Sequence, residues 1–133
     1  MNKLFVLLAL TLAACSSQGS EAAYLFCVPK DMRLLTRDEV SAQSCAETLP
    51  FTASGSIHEE GDWLRVAFSV SPTDRARVER FLSANQKQHV MLLRDRQRLA
   101  NLVLMTTDPD RLELLVEARR KHEMLILLGL ESK

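Results

Sequence analysis

An α+β domain is the fold class this sequence predicts, on two observations. Leu64, Val66, Phe68 and Val70 alternate with Arg65, Ala67 and Ser69, the period-2 signature of a strand with one buried face. A helix start built from Ser or Thr, Pro and Asp follows at Ser71-Pro72-Thr73-Asp74, and a second of the same kind stands at Thr107-Asp108-Pro109-Asp110. Pro suits a first helical turn because its missing N–H has no partner there, and Ser71, Asp74 and Asp108 are cap residues.

The elements follow in order. After the strand from Trp63, Val78, Phe81 and Leu82 stand at i, i+3 and i+4, so the spacing predicts a helix to about Asn85 with one buried stripe. Strands are expected at 89–93 and 99–105, joined by the polar turn 94–98. The second helix start leads into Leu112, Leu115 and Val116 as a buried stripe, with Arg119, Arg120 and Lys121 closing the helix where positive charge suits its dipole. The apolar run 124–128, ended by Gly129, is read as a last strand. Residues 63–133 thus spell β-α-β-β-α-β, a ferredoxin-like antiparallel sheet with two helices on one face.

Residues 24–62 are read as an N-terminal extension. A short apolar stretch, 24–28, is stopped by Pro29 and predicts an edge strand or an extended segment. Thr36 with Glu39 fits a capping box and predicts a short helix at 37–45 with Val40 and Cys45 facing inward. Pro50, Gly55 and Gly61 mark 47–62 as a loop, with room for a short strand near 51–57.

Composition fits a folded domain: 47% of residues are hydrophobic, 26% are charged, and only four Gly and four Pro occur, which excludes a disordered or fibrous chain. Seventeen basic residues balance seventeen acidic ones, which argues against nucleic-acid binding. The balance is uneven along the chain. Residues 15–62 hold three basic and eight acidic side chains, and 63–133 hold thirteen and nine, so the two parts are expected to attract each other.

The first residues carry the most specific signal. Lys3 precedes an apolar run of nine residues, 4–12, too short at about 1.5 Å per residue to cross a ~30 Å hydrocarbon core. It reads as a signal peptide, residues 1–14. Leu12-Ala13-Ala14-Cys15 resembles the lipobox of bacterial lipoproteins, in which the Cys thiol is acylated after cleavage; the alternative is an ordinary secretory signal that happens to precede a Cys. The resemblance implies lipidation of Cys15, a tether over 15–23 and, with Ser16 after the Cys, an outer-membrane address facing the periplasm. With Cys15 assigned to lipid, Cys27 and Cys45 remain as a pair in an oxidising compartment, expected as a disulfide, the alternative being two buried thiols.

Little in the chain suggests catalysis. His58, His89 and His122 are isolated, with no metal-ligand spacing, and no nucleophile elbow or Gly-rich phosphate loop exists; neither metal nor cofactor is expected. Glu59/Glu60 and Asp108/Asp110 are explained as a solvated loop and a helix cap. Arg94, Arg96 and Arg98 would share one face if the chain stays extended there, and are the candidate contact for an acidic partner; the competing reading is a charged hairpin tip that discourages edge pairing. Residues 66–120 also resemble, in their order of strand, helix with a buried Phe81, strand, polar turn and strand, the periplasmic first domain of SecD export subunits. The chain lacks that family's transmembrane helices, so the resemblance implies fold and not export activity. The expected function is a non-enzymatic lipoprotein that binds another envelope protein, with a peptide-, lipid- or glycan-binding module as the alternative.

Overall fold

The computed structural model describes residues 21–130. Six strands form one antiparallel sheet: β1 (Ala22–Pro29), β2 (Cys45–Glu60), β3 (Trp63–Val70), β4 (His89–Arg94), β5 (Gln97–Val103) and β6 (Glu113–Glu117), in the order β5-β4-β1-β2-β3-β6. Two α-helices, α1 (Arg75–Ala84) and α2 (Lys121–Leu127), complete the fold. The α+β class therefore holds, while the ferredoxin-like β-α-β-β-α-β order does not. The chain runs β-β-β-α-β-β-β-α, and the stretch read as an extension supplies the two middle strands of the sheet.

One face of the sheet carries the main core. Tyr24, Phe26, Phe51, Ala53, Leu64, Val66, Phe68, Val90, Leu92, Leu114 and Val116 meet Val78, Phe81 and Leu82 of α1 and Met124, Leu127 and Leu128 of α2. Phe26 stacks on Phe51 at 4.8 Å and on Phe81 at 5.1 Å, and aromatic pairs at such spacing add about 1 kcal/mol each beyond their area. The edge strands β5 and β6 come back within reach of each other, and Arg120 Nη1 donates to Leu99 O at 2.9 Å, so the sheet wraps around this core. On the outer face, Cys27, Val40, Cys45, Met91 and Leu93 form a second, smaller cluster under residues 31–44.

Strand β3, helix α1 and strand β4 lie where the periodicity places them. The helix begins later than expected: residues 71–74 form a turn, with Asp74 N–H donating to Ser71 O at 2.9 Å, and the Asp74 carboxylate makes no cap bond. Three further assignments are corrected. The segment 37–45 is not an α-helix: one 3₁₀ turn, Met32–Thr36, precedes it, and it holds a second at Ala42–Ser44, with Glu39 bridging to Gln97. The stretch read as a loop at 47–62 is strand up to Glu60, so the short strand expected near 51–57 is the middle of the longest strand, β2, and only 61–62 turn. The second helix and the last strand exchange places: after one 3₁₀ turn at Pro109–Arg111, capped by Asp108, the chain becomes β6, and the run 124–128 lies in and at the end of α2.

Each correction has a physical cause. Leu112, Leu114 and Val116 are buried while Glu113, Leu115 and Glu117 are exposed, a period of two that lets β6 pair with β3 from Trp63↔Glu117 to Ala67↔Glu113. Met124, Leu127 and Leu128 satisfy the helical period equally well and bury one side of α2. Gly129, at φ +75°, ends that helix as a Schellman motif: Leu130 N–H donates to Leu125 O at 2.8 Å and Gly129 N–H to Ile126 O at 3.1 Å.

Candidate interaction surface

Of the residues singled out in the sequence, Cys15 lies outside the described residues. Cys27 and Cys45 form a disulfide, with Cα atoms 5.4 Å apart and a sequence separation of 18. The bond sits where β1 and β2 part company, at the register irregularity between Val28 and Pro29, and fastens residues 31–44 over the outer face.

The three arginines do not share a face. A two-residue turn, Asp95-Arg96, with φ of +52° and +68°, breaks the extended run and sends each guanidinium elsewhere. Arg94 donates to Leu127 O at 3.2 Å and Ala23 O at 3.1 Å and lies 5.7 Å from the Tyr24 ring centre. Arg98 donates to Arg37 O at 2.7 Å and to Asp38 at 3.2 Å. Only Arg96 extends mainly into solvent, 3.6 Å from Glu39. Two of the three thus hold the fold together: Arg94 ties the hairpin to α2 and β1, and Arg98 ties β5 to residues 37–38. The attraction expected between the acidic and basic parts of the chain is seen in these pairs and in Lys121 with Glu59 at 3.0 Å.

A different surface presents itself on the outer face of β2, β3 and β6, beyond the cover of residues 31–44. Alternation puts Ser54, Ser56 and His58 of β2, Trp63, Arg65, Ala67 and Ser69 of β3 and Glu113, Leu115 and Glu117 of β6 on this side. Trp63 is 51% exposed and Leu115 59% exposed, and they are diagonal neighbours across the β3–β6 pair. Arg65, directly opposite Leu115, donates to Glu60 at 2.8 and 3.0 Å and to Glu113 at 2.9 Å. These bonds hold the Glu60 carboxyl below its usual range and raise the already high pKa of Arg65. Trp63 also borders an open depression with Asp62, Glu117, Ala118 and Arg119. The period-2 pattern of 63–70 already placed Trp63 and Arg65 on the outer side; Leu115 was missed because the helical reading buried it.

Chemically, the surface offers apolar contact, a fixed guanidinium, the hydroxyl groups of Ser54, Ser56 and Ser69 and the His58 imidazole. A polar network joins the start of α1 to β2. The Asp74 carboxylate accepts from Thr52 N–H at 2.8 Å, Thr52 Oγ1 at 3.0 Å and Arg77 at 2.8 Å, and Thr52 Oγ1 shares a 2.6 Å hydrogen bond with Ser71 Oγ. It contains hydroxyls and a carboxylate but no imidazole, and its bonds hold the Asp74 carboxyl below the ordinary range, chiefly through Thr52 N–H. A second link, the Arg75–Asp110 ion pair, joins α1 to the 3₁₀ turn before β6. Among the described residues no group of three His, Cys, Asp or Glu side chains converges in a way that would hold a metal ion. No helix among them is long and apolar enough to cross a membrane.

Comparison of the chain with models of known protein families, with curated proteins and with solved structures finds no match.

Proposed function

We propose that this chain is a lipid-anchored protein of the bacterial cell envelope, attached through Cys15 to the outer membrane on its periplasmic side, and that its sheet domain binds another envelope protein without catalysing a reaction. The observation that carries the binding role is the uncovered outer face of β2, β3 and β6. There Leu115 is exposed beside an arginine whose position is set by two carboxylates. An apolar side chain flanking an oriented guanidinium matches the composition of protein-binding surfaces, where aromatic residues and Arg dominate the energetics. The face lies on the outside of a sheet that wraps around its own core, and small-molecule sites are concave. That geometry favours a protein partner over the peptide-, lipid- or glycan-binding alternative.

Crosslinking of the native protein in its envelope, followed by mass spectrometry, tests this reading. The expected result is a protein neighbour crosslinked through β2, β3 or β6 and lost in Leu115→Lys. Recovery of no neighbour above background, or of one that is unaffected by Leu115→Lys and Arg65→Glu, would overturn it.

A further inference from the structure

We infer that the tip of the β2–β3 hairpin, with Trp63 at its rim, rests on the phospholipid surface to which the chain is anchored. The inference rests on the proposed lipidation of Cys15 and adds an orientation to it. Strand β1 begins at Ala22, which pairs with Ala53 near the middle of β2. From Ala53, β2 runs on to Glu60 and turns back at Trp63. These 60 − 53 = 7 residue steps, at ~3.3 Å each, carry the tip about 23 Å beyond the level of Ala22. Because β1 and β2 are antiparallel, the tip projects toward the side from which the chain enters β1.

The covalent chain from Cys15 to Ala22 is also 22 − 15 = 7 residue steps. Whatever path it takes, it spans at most about 25 Å. The anchor's longest reach and the hairpin's projection are therefore equal within a few ångströms. With β1 pointing its start at the membrane, the acylated Cys15 enters the lipid only when the hairpin tip is at the headgroups.

The tip has the chemistry for such a contact. Trp63 is the single Trp of the chain and is half exposed, and indole favours the membrane–water interface. Glu59 is paired with Lys121 and Glu60 with Arg65, which leaves Asp62 as the tip carboxylate that pairs with no cation among the described residues. A nearly neutral tip with one spare carboxylate suits zwitterionic headgroups, not anionic ones.

Because no other Trp is present, Trp63 fluorescence reports its own environment. The protein purified from cell membranes is reconstituted into phosphatidylcholine vesicles whose acyl chains are brominated near the headgroup. Trp63 emission is expected to shift to the blue and to be quenched about twofold or more relative to unbrominated vesicles, with no gain when phosphatidylglycerol is added. A Gly-Ser insertion of about 20 residues after Ser20 is expected to abolish most of the quenching while the protein still floats with the vesicles. Trp63 left unquenched on vesicle-bound protein overturns the contact and returns this residue to the protein-facing surface; equal quenching with the long insertion overturns the tether as its cause. The intact mass of the purified chain is read first. A chain without acyl groups refutes the proposed anchor, and the orientation is then tested alone by coupling a maleimide phospholipid to the Cys15 thiol of that chain and repeating both measurements.

Discussion

Replacing Asp74 with Ala should destabilise the domain by about 2 kcal/mol, a value that follows from what its carboxylate holds. Thr52 N–H and Thr52 Oγ1 both donate to Oδ2, and Arg77 donates to Oδ1. Removal leaves the Thr52 N–H without a partner on the side of β2 where no strand pairs, since β3 ends at Val70, opposite Ala53. A hydrogen bond to a charged group contributes about 1.5–3 kcal/mol, and the Asp74 side chain, only 15% exposed, is shielded enough to keep most of that. Arg77 is more exposed and adds little. Asp74→Asn retains an acceptor for Thr52 and should lose less. The carboxyl pKa is lowered by folding, so the stabilisation is complete above the unfolded carboxylate range near pH 4 and is lost as pH falls through the folded value. Urea unfolding with the disulfide intact, at pH 7 and at stepwise lower pH, measures both effects. The gap between wild type and Asp74→Asn should shrink on acidification. A loss below about 0.5 kcal/mol in Asp74→Ala at pH 7, or a gap that does not change with pH, would refute the reasoning.

Three further outcomes are expected. Replacing Cys27 and Cys45 together by Ala should cost about 3 kcal/mol for a loop of 18 residues, read as a lower urea midpoint that reducing agent no longer changes. In Gly55→Val the new Cβ would stand 2.9 Å from Leu128 Cδ2, so a loss of about 1–3 kcal/mol is expected. Adding Leu128→Ala should then cost less than Leu128→Ala alone, and strict additivity in the double-mutant cycle would count against the contact. Arg96 occupies a left-handed position at φ +68° with its side chain 73% exposed, so Arg96→Gly should stabilise by about 0.5–1 kcal/mol, whereas Arg94→Ala should destabilise by about 1–2 kcal/mol through lost bonds to Leu127 O and Ala23 O. Thermal unfolding that moved both variants in the same direction would contradict this division of labour.

The parts of the fold that were legible are those whose signal is local. The alternation of Leu64, Val66, Phe68 and Val70 and the spacing of Val78, Phe81 and Leu82 each fit one period only, and β3 and α1 lie there. The stretch from Leu112 to Leu128 fits two periods in each half. The choice was made by contacts distant in sequence, β6 completing the outer side of β3 and Leu128 reaching Gly55. Strand β2 was obscured by residues that break strands elsewhere. Gly55 is there because Leu128 occupies the space a side chain would need. Pro50 is tolerated because its backbone faces the side where β3 has ended; Arg77 donates to its carbonyl there at 3.0 Å, and no strand asks for the missing N–H. For the interaction surface, the sequence showed which residues of β3 face outward, but not that residues 31–44 cover β1, β4, β5 and the Cys45 end of β2 and leave the rest of β2 with β3 and β6 uncovered.

The position of β1 in the middle of the sheet has a consequence for how the domain is assembled. Its neighbour on one side, β2, follows directly, but the neighbour on the other side, β4, pairs Leu93 with Leu25 only after β2, β3 and α1 have intervened. A chain emerging from its N-terminus can complete the β1-β2-β3 meander early, while one flank of β1, with Phe26 and Cys27 on it, waits open for a strand still to come. During that interval the sulfur bridge to Cys45 needs only residues already present, so oxidation can lock the first hairpin and its overlying turns before the vulnerable flank is closed.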